Sequence, residues 1–174
     1  MSAVGTEYDV EDGQLITADG FERLRHELEE LRDVRRRELA ERLREARADG
    51  DVADNPALLD LLDEHAQLER RIAVLESQIA SARVVTPARD GAAGLGTFVR
   101  VRDTATGEVA QYELVGAVEA DVGNGRVSLG APVGRALVGR RKGDVVEVQT
   151  PRGTIVLEVL AVSAGSRQPA RRAA

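Results

Sequence analysis

Apolar side chains recur at alternating three- and four-residue steps in two long stretches of the chain, which is the spacing of one buried helix face. The first stretch carries Leu24, Leu28, Leu31, Leu39, Leu43 and Ala46. The second carries Leu58, Leu61, Leu68, Ile72, Leu75, Ile79 and Ala82, with His65 at a polar step. The pattern predicts one helix that opens near Thr17 and ends near 48, and a second from about 56 to 83. Arg35 occupies a seam position, which predicts a stutter that locally unwinds the supercoil.

The two predicted helices are separated by a short segment that reads ADGDVADNPAL over residues 48–58. Gly50 is placed to be the left-handed residue just past the first helix. Asn55 followed by Pro56 has the order of an N-cap and a first-turn proline. So short a connection requires the helices to lie antiparallel, and at 1.5 Å per residue the hairpin would extend roughly 40–45 Å.

From residue 97 the period changes to two, which is typical of β-strands. The strand-like runs are TFVRVR, VAQYELVG, GRVSLG, DVVEVQT and TIVLEVLAV, and residues 131–139 have the pattern of a short helix. The sequence therefore predicts an α+β protein, with an antiparallel coiled-coil hairpin followed by a small antiparallel-sheet domain. The expected division is an acidic tail at 1–15, the hairpin at 16–84 with its acidic tip at 49–55, a linker at 85–94, the sheet domain at 95–162 and a mobile tail at 163–174.

Composition and charge narrow the classes of function. The chain of 174 residues is 43% hydrophobic, yet it has no run of the roughly 18 apolar residues that a membrane span needs. It has no cysteine and only two histidines, which excludes disulfides and disfavours a metal site built from nitrogen or sulfur ligands. The net charge of −6 argues against generic binding to duplex DNA. The acidic start lacks the layout of a signal peptide, so we expect a cytoplasmic protein.

Three strings, taken together and in order, resemble the bacterial Gre-type transcript cleavage factors. They are ITADGFERLRHELEELR, EARADGDVADN and VGAVEADVGNGRVSLGAPVGRALVGRRKGDVVEVQTPRGTIVLEVLAV. The resemblance implies that the C-terminal domain has the FK506-binding-protein-like fold and docks on bacterial RNA polymerase at the mouth of its secondary channel. It also implies that the hairpin enters this channel and that the polymerase then cuts its own backtracked transcript. The chain would be a monomeric accessory factor and not itself an enzyme.

The resemblance assigns the chemistry to the hairpin tip. Asp51 and Asp54 are the acids that help the polymerase hold a second Mg²⁺ and a water, so they are the catalytic and metal-binding candidates. Mg²⁺ accepts oxygen donors but keeps several waters, so two acids on an exposed tip would bind it poorly without an existing metal site beside them. No tightly bound cofactor is therefore expected, the Mg²⁺ being supplied in the polymerase active site. Arg47, with Arg44, is the candidate contact to the 3′ end of the nascent RNA.

The exposed loops between strands are the expected docking surface for the polymerase. They cover residues 121–125 and 128–139. The candidate contact residues within them are Asp121, Ser128, Pro132 and Gly134.

The tip departs from the family pattern, which leaves a second function open. Asp54 stands where a glutamate is usual, Ala57 replaces a second acid, Leu58 replaces an aromatic residue and Leu62 replaces a lysine. Metal geometry tolerates little displacement, and aspartate is one methylene shorter than glutamate. The alternative is a factor that occupies the secondary channel and inhibits or modulates transcription without stimulating cleavage.

Functions of other classes are also compatible with parts of the sequence. In a coiled-coil adaptor with an FK506-binding-protein-like binding module, the tip acids would only stabilise helix ends. Prolyl isomerase activity would need an aromatic-lined pocket for the proline ring. Phe98 and Tyr112 are the only aromatic residues of the sheet domain, so isomerase activity is disfavoured.

Overall fold

The computed structural model describes residues 14–48, 55–87, 90–151 and 153–165. They belong to two compact units, one being the helical segment 19–81 and the other combining the residues up to 18 with those from 82 onward. Helices form the first unit and strands dominate the second, so the predicted α+β class is confirmed. None of the helices in the described ranges is both long enough and apolar enough to cross a membrane.

The first unit is a hairpin of two helical arms. Its elements in chain order are α1 (Ala18–Glu30), a π-helical turn (Leu31–Arg35), α2 (Arg36–Ala48) and α3 (Pro56–Ser81). Near the tip, Leu39 and Leu43 of the first arm form a buried cluster with Leu58 of the second. All three leucines belong to the predicted apolar stripes. The predicted hairpin and its seam are therefore confirmed.

The π-helical turn lies where Arg35 interrupts the apolar stripe. The amide of Arg36 donates to the carbonyl oxygen of Leu31, five residues back. Such a turn accommodates an extra residue without ending the helix. The predicted stutter therefore corresponds to local unwinding of the helix within a continuous arm. After this turn, Leu39 again lies in the apolar seam.

Ion pairs connect the two arms along the hairpin. They are Arg42–Glu64 at 3.0 Å, Arg36–Glu69 at 2.8 Å, Arg71–Glu27 at 2.6 Å and Arg32–Glu76. The hydrogen bond from Arg36 lowers the pKa of the Glu69 carboxyl group, and the same bond raises the pKa of the Arg36 guanidinium. These side chains are all at least 37% exposed, so each pair adds little stability and mainly favours one register of the two arms.

Two short strands flank the hairpin in sequence but belong to the second unit. They are β1 (Gln14–Ile16) and β2 (Ala82–Val84), which pair in parallel. We expected Gln14 to lie in an acidic tail and the second helix to run to about 83, whereas that helix ends at Ser81. Ala82 continues the three- and four-residue spacing of the helix, so the spacing does not reveal that the helix ends before it. The β-branched residues Val84 and Val85 that follow favour extended structure.

The second unit also contains a five-stranded sheet. Its strands are β3 (Thr97–Asp103), β4 (Val109–Val115), β5 (Arg126–Ser128), β6 (Val145–Thr150) and β7 (Gly153–Ala164), in the spatial order β5–β4–β3–β7–β6. The pairs β3–β4, β3–β7 and β6–β7 are antiparallel, as predicted. The last strand runs to 164, two residues past the expected boundary of the sheet domain.

One edge of this sheet differs from the prediction. The pair β4–β5 is parallel, which is a local exception in the predicted antiparallel sheet. Two 3-10 turns between β4 and β5 carry the chain back before β5 begins. Alternation of apolar and polar residues in a three-residue strand does not reveal its direction.

The core of this unit lies on one face of the sheet. Its buried side chains are Ala93, Val99, Val101, Leu114, Leu137, Val146, Val148, Leu157 and Val159. Helix α4, Pro132–Leu137, lies within the predicted range 131–139 and brings Leu137 into this core. Alternate residues of β3, β6 and β7 supply most of the remainder, which is the period that the sequence displays.

The hairpin should depend on its seam residues. Ile72 is 3% exposed, so Ile72→Ala is expected to leave a cavity and to lower the free energy of unfolding of the hairpin by about 2–4 kcal/mol. Val74→Ala on the same helix is the matched control because Val74 is 46% exposed. Urea unfolding followed by circular dichroism measures both variants. Equal stability of the two would contradict the assigned register.

Candidate functional site

The residues predicted to carry the chemistry belong to the tip of the hairpin. Asp51 and Asp54 lie outside the described residues, as does the rest of the segment 49–54. Their roles as tip acids and Mg²⁺ ligands therefore remain predictions. The structure describes the base on which this segment is carried, namely the end of α2 and the start of α3.

Asn55 caps the second arm at this base. Its Oδ1 accepts a hydrogen bond from the amide of Leu58 at 3.2 Å, and Pro56 is the first residue of α3. The predicted cap and first-turn proline are confirmed. The Asn55 side chain also donates from Nδ2 to the carbonyl oxygen of Ala46, 3.3 Å away in α2. This second bond joins the two arms, and sequence reasoning did not find it.

Arg44 and Arg47 are exposed on the last turns of α2. Residues three apart on a helix share a side, so the two guanidinium groups lie on neighbouring parts of one surface. Neither has an ion-pair partner among the described residues, whereas Arg42 is bound by Glu64. Both are therefore accessible to an anionic ligand. The RNA contact assigned to them stays a prediction.

Two of the departures from the family pattern belong to the interior of the hairpin. Leu58 is fully buried in the cluster that it forms with Leu39 and Leu43, and Leu62 packs against this cluster. Their function in this chain is to hold the arms together below the tip. Ala57, the position where the resemblance leads us to expect a second acid, is exposed.

Within the ranges that the structure describes, there is no ready metal site. No group of three or more histidine, cysteine, aspartate or glutamate side chains in these ranges is arranged to hold an ion. His65 lies 3.8 Å from Glu69, which Arg36 also binds, so the imidazole lies beside the Arg36–Glu69 pair of the hairpin.

Asp121 shapes the first predicted docking loop. Its carboxylate accepts hydrogen bonds from the amide and the side-chain Nδ2 of Asn124 at 3.2 and 2.7 Å, and these bonds lower the pKa of the Asp121 carboxyl group. Gly125 completes the turn at a φ of 73°, in the left-handed region. Val122 within this turn is 81% exposed. The loop is a well-defined turn that presents an apolar side chain to the surroundings.

The other docking candidates build the second loop. The hydroxyl of Ser128 accepts a hydrogen bond from the amide of Gly130 at 3.1 Å, and Pro132 begins α4. A β-carbon on Gly134 would lie 2.0 Å from the carbonyl oxygen of Ser128, so glycine is required for α4 to approach the end of β5. Local geometry thus accounts for Ser128, Pro132 and Gly134. Their contact with a partner stays a prediction.

Sequence reasoning missed Glu119, whose side chain is buried in the sheet unit. Its carboxyl group accepts hydrogen bonds from the amide and hydroxyl of Thr17 at 2.8 and 2.6 Å, and from the amide of Gly116 at 3.3 Å. A guanidinium nitrogen of Arg126 approaches to 3.3 Å. The available signal was a lone acid within the apolar run AVEA. Glu119 anchors the residue that follows β1.

Gly116 permits the same segment to lie close to the sheet unit. A β-carbon at this position would lie 1.8 Å from the carbonyl oxygen of Leu15, which is far inside van der Waals contact, so any other residue would force the backbone to move. The close approach of Leu15 in β1 therefore explains why residue 116, which precedes the first 3-10 turn, is a glycine. Together, Gly116 and Glu119 fix the position of the residues that precede the hairpin.

Both units of the chain match one known protein family. The family described as "Transcription elongation factor, GreA/GreB, C-term" matches residues 88–164, and "Transcription elongation factor, N-terminal" matches residues 14–84. The two matches cover most of the chain. The chain belongs to the GreA/GreB family of transcription elongation factors, which confirms the resemblance seen in its sequence.

Individual relatives match over nearly their full length. Transcription elongation factor GreA of Syntrophobacter fumaroxidans is 40% identical over 149 residues, which cover 84% of this chain and 96% of the relative. The GreA of Thermoanaerobacter pseudethanolicus is 37% identical over 150 residues, with 85% and 96% covered. Among solved structures, GreA factor homolog 1 (Gfh1) of Thermus thermophilus is 32% identical, with 87% of this chain and 99% of that chain covered at a TM-score of 0.41.

The Glu119 network yields a stability prediction. Glu119→Gln should lower the free energy of unfolding of the sheet unit by about 1–3 kcal/mol, because an amide offers one acceptor oxygen where Thr17 uses two. Glu147→Gln is the control, since Glu147 is exposed on β6. A cycle with Thr17→Val, measured by urea unfolding, should show coupling between positions 17 and 119. Strict additivity would mean that the two side chains do not stabilise each other.

Proposed function

We propose that this protein binds bacterial RNA polymerase, inserts the tip of its hairpin into the secondary channel and stimulates cleavage of backtracked RNA by the polymerase. The observation that carries the proposal is the family match over both units, together with Asp51 and Asp54 in the segment that joins the helical arms. The coiled-coil adaptor unrelated to transcription is set aside, because the chain belongs to a family of elongation factors.

The proposed chemistry is shared between two proteins. Asp51 and Asp54 supply carboxylate oxygens, which suit Mg²⁺, at a site that the polymerase already provides. A Mg²⁺ ion bound there supplies charge stabilisation and an acidified water for phosphodiester hydrolysis. The acids orient that water and the phosphate, while the hairpin delivers them. The protein is in this proposal an accessory factor that needs no tightly bound cofactor of its own.

The contribution of the arginines is positioning of the transcript. Arg44 and Arg47 are exposed near the tip and lack ion-pair partners among the described residues. A guanidinium binds phosphate oxygens through a planar pair of donors. We propose that the 3′ end of the nascent RNA binds against this face of α2.

Docking is assigned to the loops of the sheet unit. The turn that begins at Asp121 is held by its own hydrogen bonds and presents Val122, and the neighbouring loop contains Ser128, Pro132 and Gly134. Rigid loops lose little entropy on binding. The protein acts as a monomer in this scheme, with the polymerase as its partner.

A second candidate is supported by the surface of the tip. Asp54 is shorter than the usual glutamate, and Ala57 is exposed where a second acid is usual. A tip with weaker metal ligation would still enter the channel and would then slow nucleotide addition. This channel-occupying inhibitor shares the docking step with the first proposal and differs only in the chemistry.

The docking assignment predicts a loss of affinity without a loss of fold. Val122→Asp should weaken binding to core polymerase at least about fivefold, because it puts a charge at the most exposed apolar position of the loop; this is roughly 1 kcal/mol. Val145→Asp, at a 58% exposed position on β6, is the control. Fluorescence titration with core polymerase measures both. Equal affinity of the two variants would contradict the assignment of docking to the loop that contains Val122.

The cleavage assignment predicts dependence on the two acids. Asp51→Asn and Asp54→Asn should each abolish stimulated cleavage in defined backtracked complexes while leaving polymerase affinity nearly unchanged, because docking resides in the other unit. Asp54→Glu should raise activity if the shorter side chain limits metal ligation. The assay is RNA cleavage at increasing Mg²⁺ concentration.

Two results would overturn this assignment. Robust cleavage with the double asparagine variant would remove the chemistry from these residues. Absence of cleavage with the wild-type protein, accompanied by slower nucleotide addition, would establish the inhibitor.

A further inference from the structure

A single side chain connects the two helix ends that carry the tip. Asn55 is half-buried and bonds Leu58 of α3 through Oδ1 and Ala46 of α2 through Nδ2, at 3.2 and 3.3 Å. Its backbone carbonyl oxygen also accepts from the amides of Leu58 and Leu59 at 3.1 and 3.3 Å, so the residue is fixed at the start of α3. Fully buried Leu58 packs in the cluster that holds the two arms together at this end of the hairpin.

The chemistry of an amide explains why one side chain serves both helices. The last four carbonyl groups of a helix and its first four amides lack partners within the helix. Ala46 lies in the last turn of α2 and Leu58 in the first turn of α3. Asn55 therefore gives a donor to a carbonyl at the negative end of one helix dipole and an acceptor to an amide at the positive end of the other. An aspartate would keep the acceptor but lose the donor.

We propose that Asn55 is a positioning residue for the tip acids, acting as a clamp between Ala46 and Leu58 that joins the two helix ends on either side of residues 49–54 in the sequence. The inference rests on the proposed function, since positioning concerns the cleavage assigned to Asp51 and Asp54. It goes beyond capping, because an N-cap alone would act on α3 and would add no hydrogen bond to the end of α2, where Ala46 is otherwise held by apolar packing. The role is indirect, as the amide itself touches neither RNA nor metal in this scheme.

Two substitutions separate the clamp from the cap. Asn55→Asp retains an N-cap acceptor for Leu58 and loses the bond to Ala46, while Asn55→Ala loses both. Gln67→Glu makes the same amide-to-acid change at an exposed position of α3 and is the matched control. Amide hydrogen exchange at Leu58 should rise in Asn55→Ala, by about fivefold for the loss of one cap, and stay near the wild-type rate in Asn55→Asp.

The first measurement does not depend on activity. The chain has no cysteine, so nitroxide labels can be attached after Glu45→Cys and Asp60→Cys, two exposed positions on the two arms near the tip. The distance distribution between the labels should broaden in both Asn55 variants and remain narrow in Gln67→Glu. An unchanged distribution in Asn55→Asp would overturn the clamp whatever the activity of the protein.

The second measurement concerns cleavage in defined backtracked complexes. At saturating factor, Asn55→Asp should lower the maximal cleavage rate by roughly 10- to 100-fold, the cost of a displacement near one ångström. The factor concentration at half-maximal effect should stay unchanged, because the docking loops are intact. A broadened distance distribution with wild-type cleavage would overturn the positioning role. If the wild-type protein itself fails to stimulate cleavage, the proposed function falls, and the label distances alone then decide whether Asn55 clamps the tip.

Discussion

The hydrogen bonds of the buried Glu119 carboxyl group hold the segment after β1 against the rest of the sheet unit. Burying such a group is costly unless hydrogen bonds replace its water, and here Thr17, Gly116 and Arg126 provide them. This requirement forces the segment after β1 to lie against the first 3-10 turn. Gly116 meets the same requirement, because a side chain there would collide with the carbonyl group of Leu15. Since β1 also pairs with β2, the segments on both sides of the hairpin in sequence belong to one sheet unit.

The two arms of the hairpin must stay aligned although they share only a small hydrophobic core. Two helices bury only one stripe each, so stability comes from the apolar seam, above all from the cluster of Leu39, Leu43 and Leu58. The exposed ion pairs contribute little energy, but mismatched charges would disfavour other registers. The π-helical turn absorbs the seam arginine without ending the arm. The result is a continuous first arm whose Leu39 and Leu43 pack against Leu58 of the second arm.

Function in this family member is divided, in our proposal, according to these two units. The loops assigned to docking take their conformation from Asp121 and Gly134, through a hydrogen bond within the first loop and a close backbone approach in the second. The chemistry is assigned to a tip that is expected to borrow a metal site from its partner. Separation of docking from chemistry explains how members of one family could differ in activity through a few tip residues while keeping the same partner.

The sequence by itself determined the α+β class, the hairpin, the stutter at Arg35, the antiparallel strands and the family, because each of these follows from periodicity or from contiguous motifs. It also determined part of the candidate site. The cap at Asn55 and the proline after it have local signatures, so the order of the residues predicts both. The spacing of Leu58 predicted its burial, which the structure confirms.

Tertiary structure alone decided the parallel pairing of β5 with β4, the end of α3 at Ser81 and the pairing of β1 with β2. The hydrogen bond from Asn55 to Ala46 also depends on tertiary structure. It joins two helices, and no local sequence pattern specifies how these helices are rotated relative to each other. Tertiary structure also decided the role of Glu119, which bonds a residue 102 positions away. Local propensity acts over a few residues, whereas a buried polar group finds its partners in space. Contacts of this long range leave no regular spacing in the chain for a sequence argument to use.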